Sequence, residues 1–197
     1  MKYFDTLPKM LVTEGGITRV ATNLIARANI VPELLNNPAL YYKYDIQEGD
    51  TPEIIAKKYY GDVYRYWAIF LANQLMDPQW DWPMTGKVFN DYLKAKYGTT
   101  STNTVHHYEK VITQVDNVSN TTTTNVVEIT EDEYNNLTNS VEYFTIPMAG
   151  TVTVSTVKNA VTIYQYEYNK NEAKRSIRLL NKNYITDLES QFAKLMK

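Results

Sequence analysis

Hydrophobic and polar positions change period several times along the chain, and each change marks an element. The clearest block is residues 44–73, YDIQEGDTPEIIAKKYYGDVYRYWAIFLAN. A short β-type run over 41–46 meets a Gly49-Asp50-Thr51 turn, where glycine is free to take positive φ. Asp50 or Thr51 supplies a cap and Pro52 a first turn for the next helix. Gly61 ends that helix in a left-handed residue, and Asp62 caps a second one that stops near Asn73. The second helix carries Tyr64, Trp67, Phe70 and Leu71 on one apolar stripe. In 76–83, MDPQWDWP, two prolines forbid a regular helix. Thr85 then caps a helix to about Tyr97, with Val88, Phe89, Tyr92 and Leu93 apolar.

Beyond Gly98 the pattern turns to period two. Strands are predicted over 105–115, 126–130, 141–146, 151–157 and 160–168, with Lys158-Asn159 as a hairpin turn. Thr-, Ser- and Asn-rich stretches at 99–104 and 117–125 read as flexible tips. Thr130 and Glu133 have capping-box spacing for a short helix. Residues 174–180 fit strand or helix, and strand is preferred. A helix from Asn183 places Ile185, Leu188, Phe192 and Leu195 on one face. At the other end, 1–12 reads as an extended arm and 18–29 as a short helix with Val20, Leu24 and Ala28 aligned. The expected fold class is α+β. Its expected regions are an arm and helix (1–40), a strand-helix-helix core with a Trp loop and following helix (41–98), a Thr/Asn-rich β region (99–168), and a C-terminal strand and helix (169–197).

Composition narrows the function. The 197 residues carry a net charge of −2, which gives no basic footprint for nucleic acid. Cysteine is absent, so disulfides and thiolate metal sites are excluded. No stretch has membrane-spanning length free of charge, and the first residues lack the apolar core of a signal peptide. There are 17 tyrosines against 5 phenylalanines. A tyrosine ring with a wet hydroxyl suits a protein interface, and suits half-exposed strands equally. Trp80 and Trp82 in the Pro-flanked loop must be covered by this chain or by a partner.

A search for chemistry ends empty. His106 and His107, the only histidines, are neighbours on a strand and so point to opposite faces, which keeps them from sharing a metal or acting as a pair. Glu131, Asp132 and Glu133 lie in a first helical turn, where anions complement the dipole. There is no phosphate loop, nucleophile elbow or zinc spacing. The expectation is a non-enzyme with no catalytic residues, cofactor or metal.

Two resemblances add to this reading. Tyr44, Ile46, Gly49, Asp50, Thr51, Ile55, Ala56, Tyr60, Gly61 and Asn73 match in order the pattern of a LysM domain, so the block resembles that family. The resemblance implies a groove for N-acetylglucosamine polymers near Gly49, Asp50, Thr51 and Asn73. The chain departs from it at 75–85, where Trp80 and Trp82 stand in place of a Pro-Gly-Gln-type turn and closing strand. Over nearly the whole length, YGDVYRYWAIFLAN, DPQWDWP and YEYNKNEAKRSIRLLNKNYITDLESQF resemble the gene-53-type baseplate wedge proteins of contractile-tailed phages. That implies a structural virion protein, assembled in the host cytoplasm and present in several copies of a symmetric tail baseplate. Its partners would be other wedge proteins and neighbouring wedges, with no nucleic acid or membrane. The residues expected at such contacts are Trp80, Trp82, Tyr64 and Tyr66. The alternative is a LysM-type peptidoglycan-binding module.

Overall fold

A computed structural model describes residues 2–98, 103–147 and 150–196. Most of the predicted tip at 99–104 lies outside the described residues. Met1–Thr85 with Glu172–Lys197 form one compact unit, and Gly86–Asn171 form a second.

The first unit opens with a hairpin of β1 (Lys9–Glu14) and β2 (Ile17–Thr22), paired from Glu14↔Ile17 out to Lys9↔Thr22. The helix expected over 18–29 is therefore absent. Gly15 and Gly16 both take positive φ (56° and 78°), the geometry of a two-residue hairpin turn. Ile17, Thr18, Val20 and Thr22 are β-branched and favour the extended chain that follows. Single helical turns occur at α1 (Pro32–Leu35) and at the 3-10 turn Pro38–Leu40. Strand β3 (Tyr41–Asp45) leads to α2 (Pro52–Tyr60), which is capped by the Thr51 hydroxyl accepting from Ile54 N–H and closed by Gly61 at φ 77°. Asp62 caps a 3-10 turn, Val63–Arg65, that runs into α3 (Tyr66–Asn73). One helical turn, α4 (Pro78–Asp81), does form in the Pro-flanked loop, because Pro78 occupies the first position and Asp77 caps it through Gln79 N–H.

The second unit begins with α5 (Gly86–Tyr97) and continues with β4 (Val105–Asp116), β5 (Thr121–Ile129), α6 (Glu131–Asn136), β6 (Ser140–Ile146), β7 (Gly150–Thr162) and α7 (Ile163–Glu172). The strands form one antiparallel sheet in the order β5-β4-β7-β6. Three expectations change here. Thr121 to Thr124 form part of the ladder, opposite Asp116 to Thr113. Lys158-Asn159 makes no turn, since β7 runs through it with Lys158 opposite Lys110. Residues 163–168 are helical. The Tyr-Gln-Tyr-Glu-Tyr alternation imitates a strand, but the Thr162 hydroxyl accepts from Gln165 N–H and starts a helix. Pairs four residues apart then sustain it: Tyr164 stacks on Tyr168, and Gln165 donates to Asn169. The predicted capping box of Thr130 and Glu133 is present on α6.

Helix α7 buries Glu167 at 3% exposure. Its carboxylate accepts from Lys96 Nζ at 2.7 Å, from Tyr97 and from Tyr92. Burial pushes this carboxyl up, but the Lys96 and Tyr97 hydrogen bonds outweigh it and leave the pKa below the ordinary glutamate value. A depressed carboxyl stabilises the fold fully above its unfolded pKa and loses that contribution as pH falls through the folded one. Thermal melts of the wild type should thus drop on acidification below about pH 4.3. Glu167→Gln should cost roughly 1 kcal/mol at pH 7 and show a smaller acid drop. Identical pH profiles for the two proteins would remove Glu167 from the account.

After the second unit the chain returns to the first. Strand β8 (Ser176–Leu180) pairs antiparallel with β3, from Tyr41↔Leu180 to Asp45↔Ser176, giving a strand-helix-helix-strand order in space. A 3-10 turn, Lys182–Tyr184, leads into α8 (Ile185–Leu195). Trp67, Ile69, Ile55, Leu179 and Phe192 are buried in the core between these elements. Tyr60 donates its hydroxyl to Leu180 O at 2.9 Å inside it. On α8 the predicted face is off by one at its end: Leu195 is exposed and Met196 buried. Eleven residues make nearly three whole turns, which sets Met196, not Leu195, above Ile185.

Candidate functional site

The loop after β3 is held by its own side chains. Gly49 takes φ 83°, letting the backbone fold back so that Asp50 points inward at 8% exposure. The Asp50 carboxylate accepts from Tyr44 hydroxyl (2.6 Å), Lys58 Nζ (2.7 Å) and Gln47 N–H (3.2 Å). Burial raises its pKa, but these three donors overcome that and hold it below the usual carboxylate range. The Tyr44 phenol, giving its proton to this carboxylate, is pushed up to about 12. Asp50 is thus a structural anion with its lone pairs engaged, not an acid or base poised for turnover.

Across from this loop, Trp82 donates its indole N–H to Asp50 O at 3.1 Å. Its ring meets Phe70 edge-on, and Tyr66 meets Phe70 in the same manner. The result is a groove of about 370 Å³ lined by Gly49, Asp50, Thr51, Tyr66, Phe70 and Trp82, among others. Arg175 also lines it. Its guanidinium is spread over Glu172, Ile46 O and Glu48.

The other predicted residues lie elsewhere. Trp80 stands on α4 with its side chain half exposed, at 50%. The turn beneath it is fixed by Asp81, whose carboxylate accepts from Met76 and Asp77 N–H, and by Lys174 donating to Trp80 O. Tyr64 is also half exposed, with the Lys2 ammonium 5.1 Å from its ring centre. Asn73 does not line the groove. Its amide donates to Ile69 O and Arg178 O and accepts from Arg178 N–H, pinning α3 to the outer edge of β8. The expectation about the histidines is corrected. A break in register between Val105 and His107 suspends the alternation, and the two Nδ1 atoms lie 2.8 Å apart. His106 stacks on Tyr166 and His107 bonds Glu109. Among the described residues, no three His, Cys, Asp or Glu side chains gather as a metal site requires. Nor is any described helix long and apolar enough to cross a membrane.

Sequence reasoning missed Phe70 and Arg175 as lining residues. Phe70 read as core because its stripe is apolar. Arg175 lies more than 120 positions from the loop it braces, and nothing local signals that approach. The exposed apolar residues of the β1–β2 hairpin were also missed, although Gly15-Gly16 between β-branched runs was a readable hairpin signal.

A search of curated proteins finds no match. A family model described as base plate wedge protein 53 matches residues 31–197, which includes β3, the groove, the whole second unit and the returning β8 and α8. With that match running through both compact units, the chain belongs to the phage base plate wedge protein 53 family.

Proposed function

We propose that this structural protein of the phage tail base plate joins neighbouring wedge subunits through protein-protein contacts centred on the first unit. The observation carrying this reading is Trp80, held half exposed on a turn whose backbone is fixed from three sides. A large ring on a rigid support has little ordering entropy left to lose when a partner covers it, which is the usual condition of an interface anchor. Tyr64 adds a second half-exposed ring, while Tyr66 and Trp82 shape the neighbouring groove. Assembly takes place in the host cytoplasm, in several symmetric copies, and the Thr/Asn-rich β region serves as a further contact module.

The strand-helix-helix-strand order supports a LysM-like core. Glycan binding draws no support from the same residues. Asp50 and Asn73 spend their polar groups inside the protein, and Thr51 is the cap of α2. The test is co-expression with the other wedge proteins followed by size exclusion. Wild type should elute in a complex. Trp80→Ala should weaken that complex by roughly ten-fold while lowering Tm less than a core substitution would, because half of the residue's surface is open to solvent in the isolated chain. Wild-type assembly by Trp80→Ala would remove the anchor, and retention on insoluble peptidoglycan would revive the glycan reading.

A further inference from the structure

Among the described residues, the β1–β2 hairpin lies open to solvent along most of its length. Every residue of β1 is exposed, and so are the first four of β2. Ile17 and Val20 are 58% and 69% accessible. An isolated two-stranded hairpin is marginal in water, so apolar side chains on both its faces call for a covering partner. The hairpin also precedes residue 31, where the family match begins.

The second unit offers the complementary need. Its sheet ends in β6, whose seven residues, SVEYFTI, are all exposed and include no proline or lysine to discourage pairing. We propose that β2 of one copy adds antiparallel to the free edge of β6 in a second copy, making a six-stranded sheet. This deepens the wedge-joining reading, and rests on it for bringing copies together.

Hydrogen-bond phase and side-chain order select one register. In an antiparallel ladder, residues alternate between bonding inward and outward. Asn23 N–H donates to Pro8 O, which places the free backbone groups of β2 on Thr18, Val20 and Thr22. Asn117 N–H donates to Thr151 O, so odd residues of β7 bond toward β4 and the free groups of β6 fall on Val141, Tyr143 and Thr145. Matching outward residues to outward residues permits Val20 opposite Val141 and Thr18 opposite Tyr143. The same alignment sets Ile17 opposite Phe144 and Arg19 opposite Glu142. Apolar therefore meets apolar on both faces, and the one cation of β2 meets the one anion of β6. The other open edge, β5, has its free groups on even-numbered residues and Glu128 as its only acid. Pairing outward with outward there never puts Arg19 opposite Glu128. Because the donor and acceptor surfaces differ, one copy donates and accepts at once, as ring- or chain-forming contacts do.

The test uses the full chain. Sedimentation velocity should show concentration-dependent self-association. Arg19→Glu and Glu142→Arg should each weaken it by roughly ten-fold, and the double reversal should restore it. The chain has no cysteine, so mixing Arg19→Cys copies with Glu142→Cys copies should give a disulfide-linked pair on oxidation. A monomer at every concentration overturns the proposal, as does a double reversal no better than the singles. So does loss of a wedge protein by Arg19→Glu with self-association unchanged, which would assign the hairpin to that protein. Intact binding of wedge proteins by a strictly monomeric chain sinks only this contact and leaves the wedge-joining function standing.

Discussion

Trp67→Ala is expected to destabilise the first unit by about 3–5 kcal/mol, the range for emptying an aromatic site in a packed core. Trp67 is 3% exposed and sits where three distant parts of the chain converge. Its ring centre lies 4.9 Å from that of Phe192 on α8 and 6.0 Å from that of Tyr3, while its own backbone belongs to α3. Tyr3 and Phe192 also touch each other at 5.2 Å, so the three rings form one closed cluster. Removing the largest member leaves a void beside Tyr3 and Phe192. Trp67→Phe is expected to lose less, because the indole N–H is buried without a hydrogen-bond partner among the described residues and its removal costs no bond. Urea unfolding followed by far-UV circular dichroism measures both. If Trp67→Ala lay within 1 kcal/mol of wild type, the cluster would not hold α8 and the segment around Tyr3 to α3.

The parts of this fold that were legible in the sequence are those whose cause is local. Thr51, Pro52 and Gly61 delimit α2 as residue chemistry requires, and the Thr130–Glu133 capping box forms as its spacing predicts. The errors have local causes too. Residues 163–168 alternate tyrosine with polar groups, and only the Thr162 cap and the four-residue side-chain pairs reveal a helix. Val20 and Leu24 stand at helical spacing, yet Gly15-Gly16 and β-branching put residues 17–22 in a strand. What no local rule supplies is the partner of β3. The closing strand arrives from beyond the entire second unit, and the predicted preference for a strand over 174–180 gave no hint of its mate. The site divides in the same way. Gly49, Asp50 and Thr51 announce a tight loop, whereas their meeting with Trp82 and Arg175 depends on tertiary packing.

Asn73 shows how a motif residue is reassigned by that packing. Its place in the pattern suggests a groove, but its amide acts as a substitute strand along the outer edge of β8. The side-chain oxygen takes Arg178 N–H at 2.9 Å, and the side-chain nitrogen gives to Arg178 O at 2.8 Å. The Arg178 guanidinium reaches back to Ala72 O and Leu35 O, so the clamp also ties in the end of α3 and α1. Asn73→Ala leaves a strand N–H and two carbonyls without these partners, and the expected loss is roughly 2–3 kcal/mol. Asn73→Asp keeps the acceptor for Arg178 N–H but sets a carboxylate against Arg178 O and Ile69 O, so it should recover little. Chemical denaturation of both variants is the measurement. The amides of β8 should exchange faster with solvent in Asn73→Ala, since their outer edge is freed. A groove residue would behave in the opposite way, leaving stability and exchange at wild-type levels, and that result would return Asn73 to the binding surface.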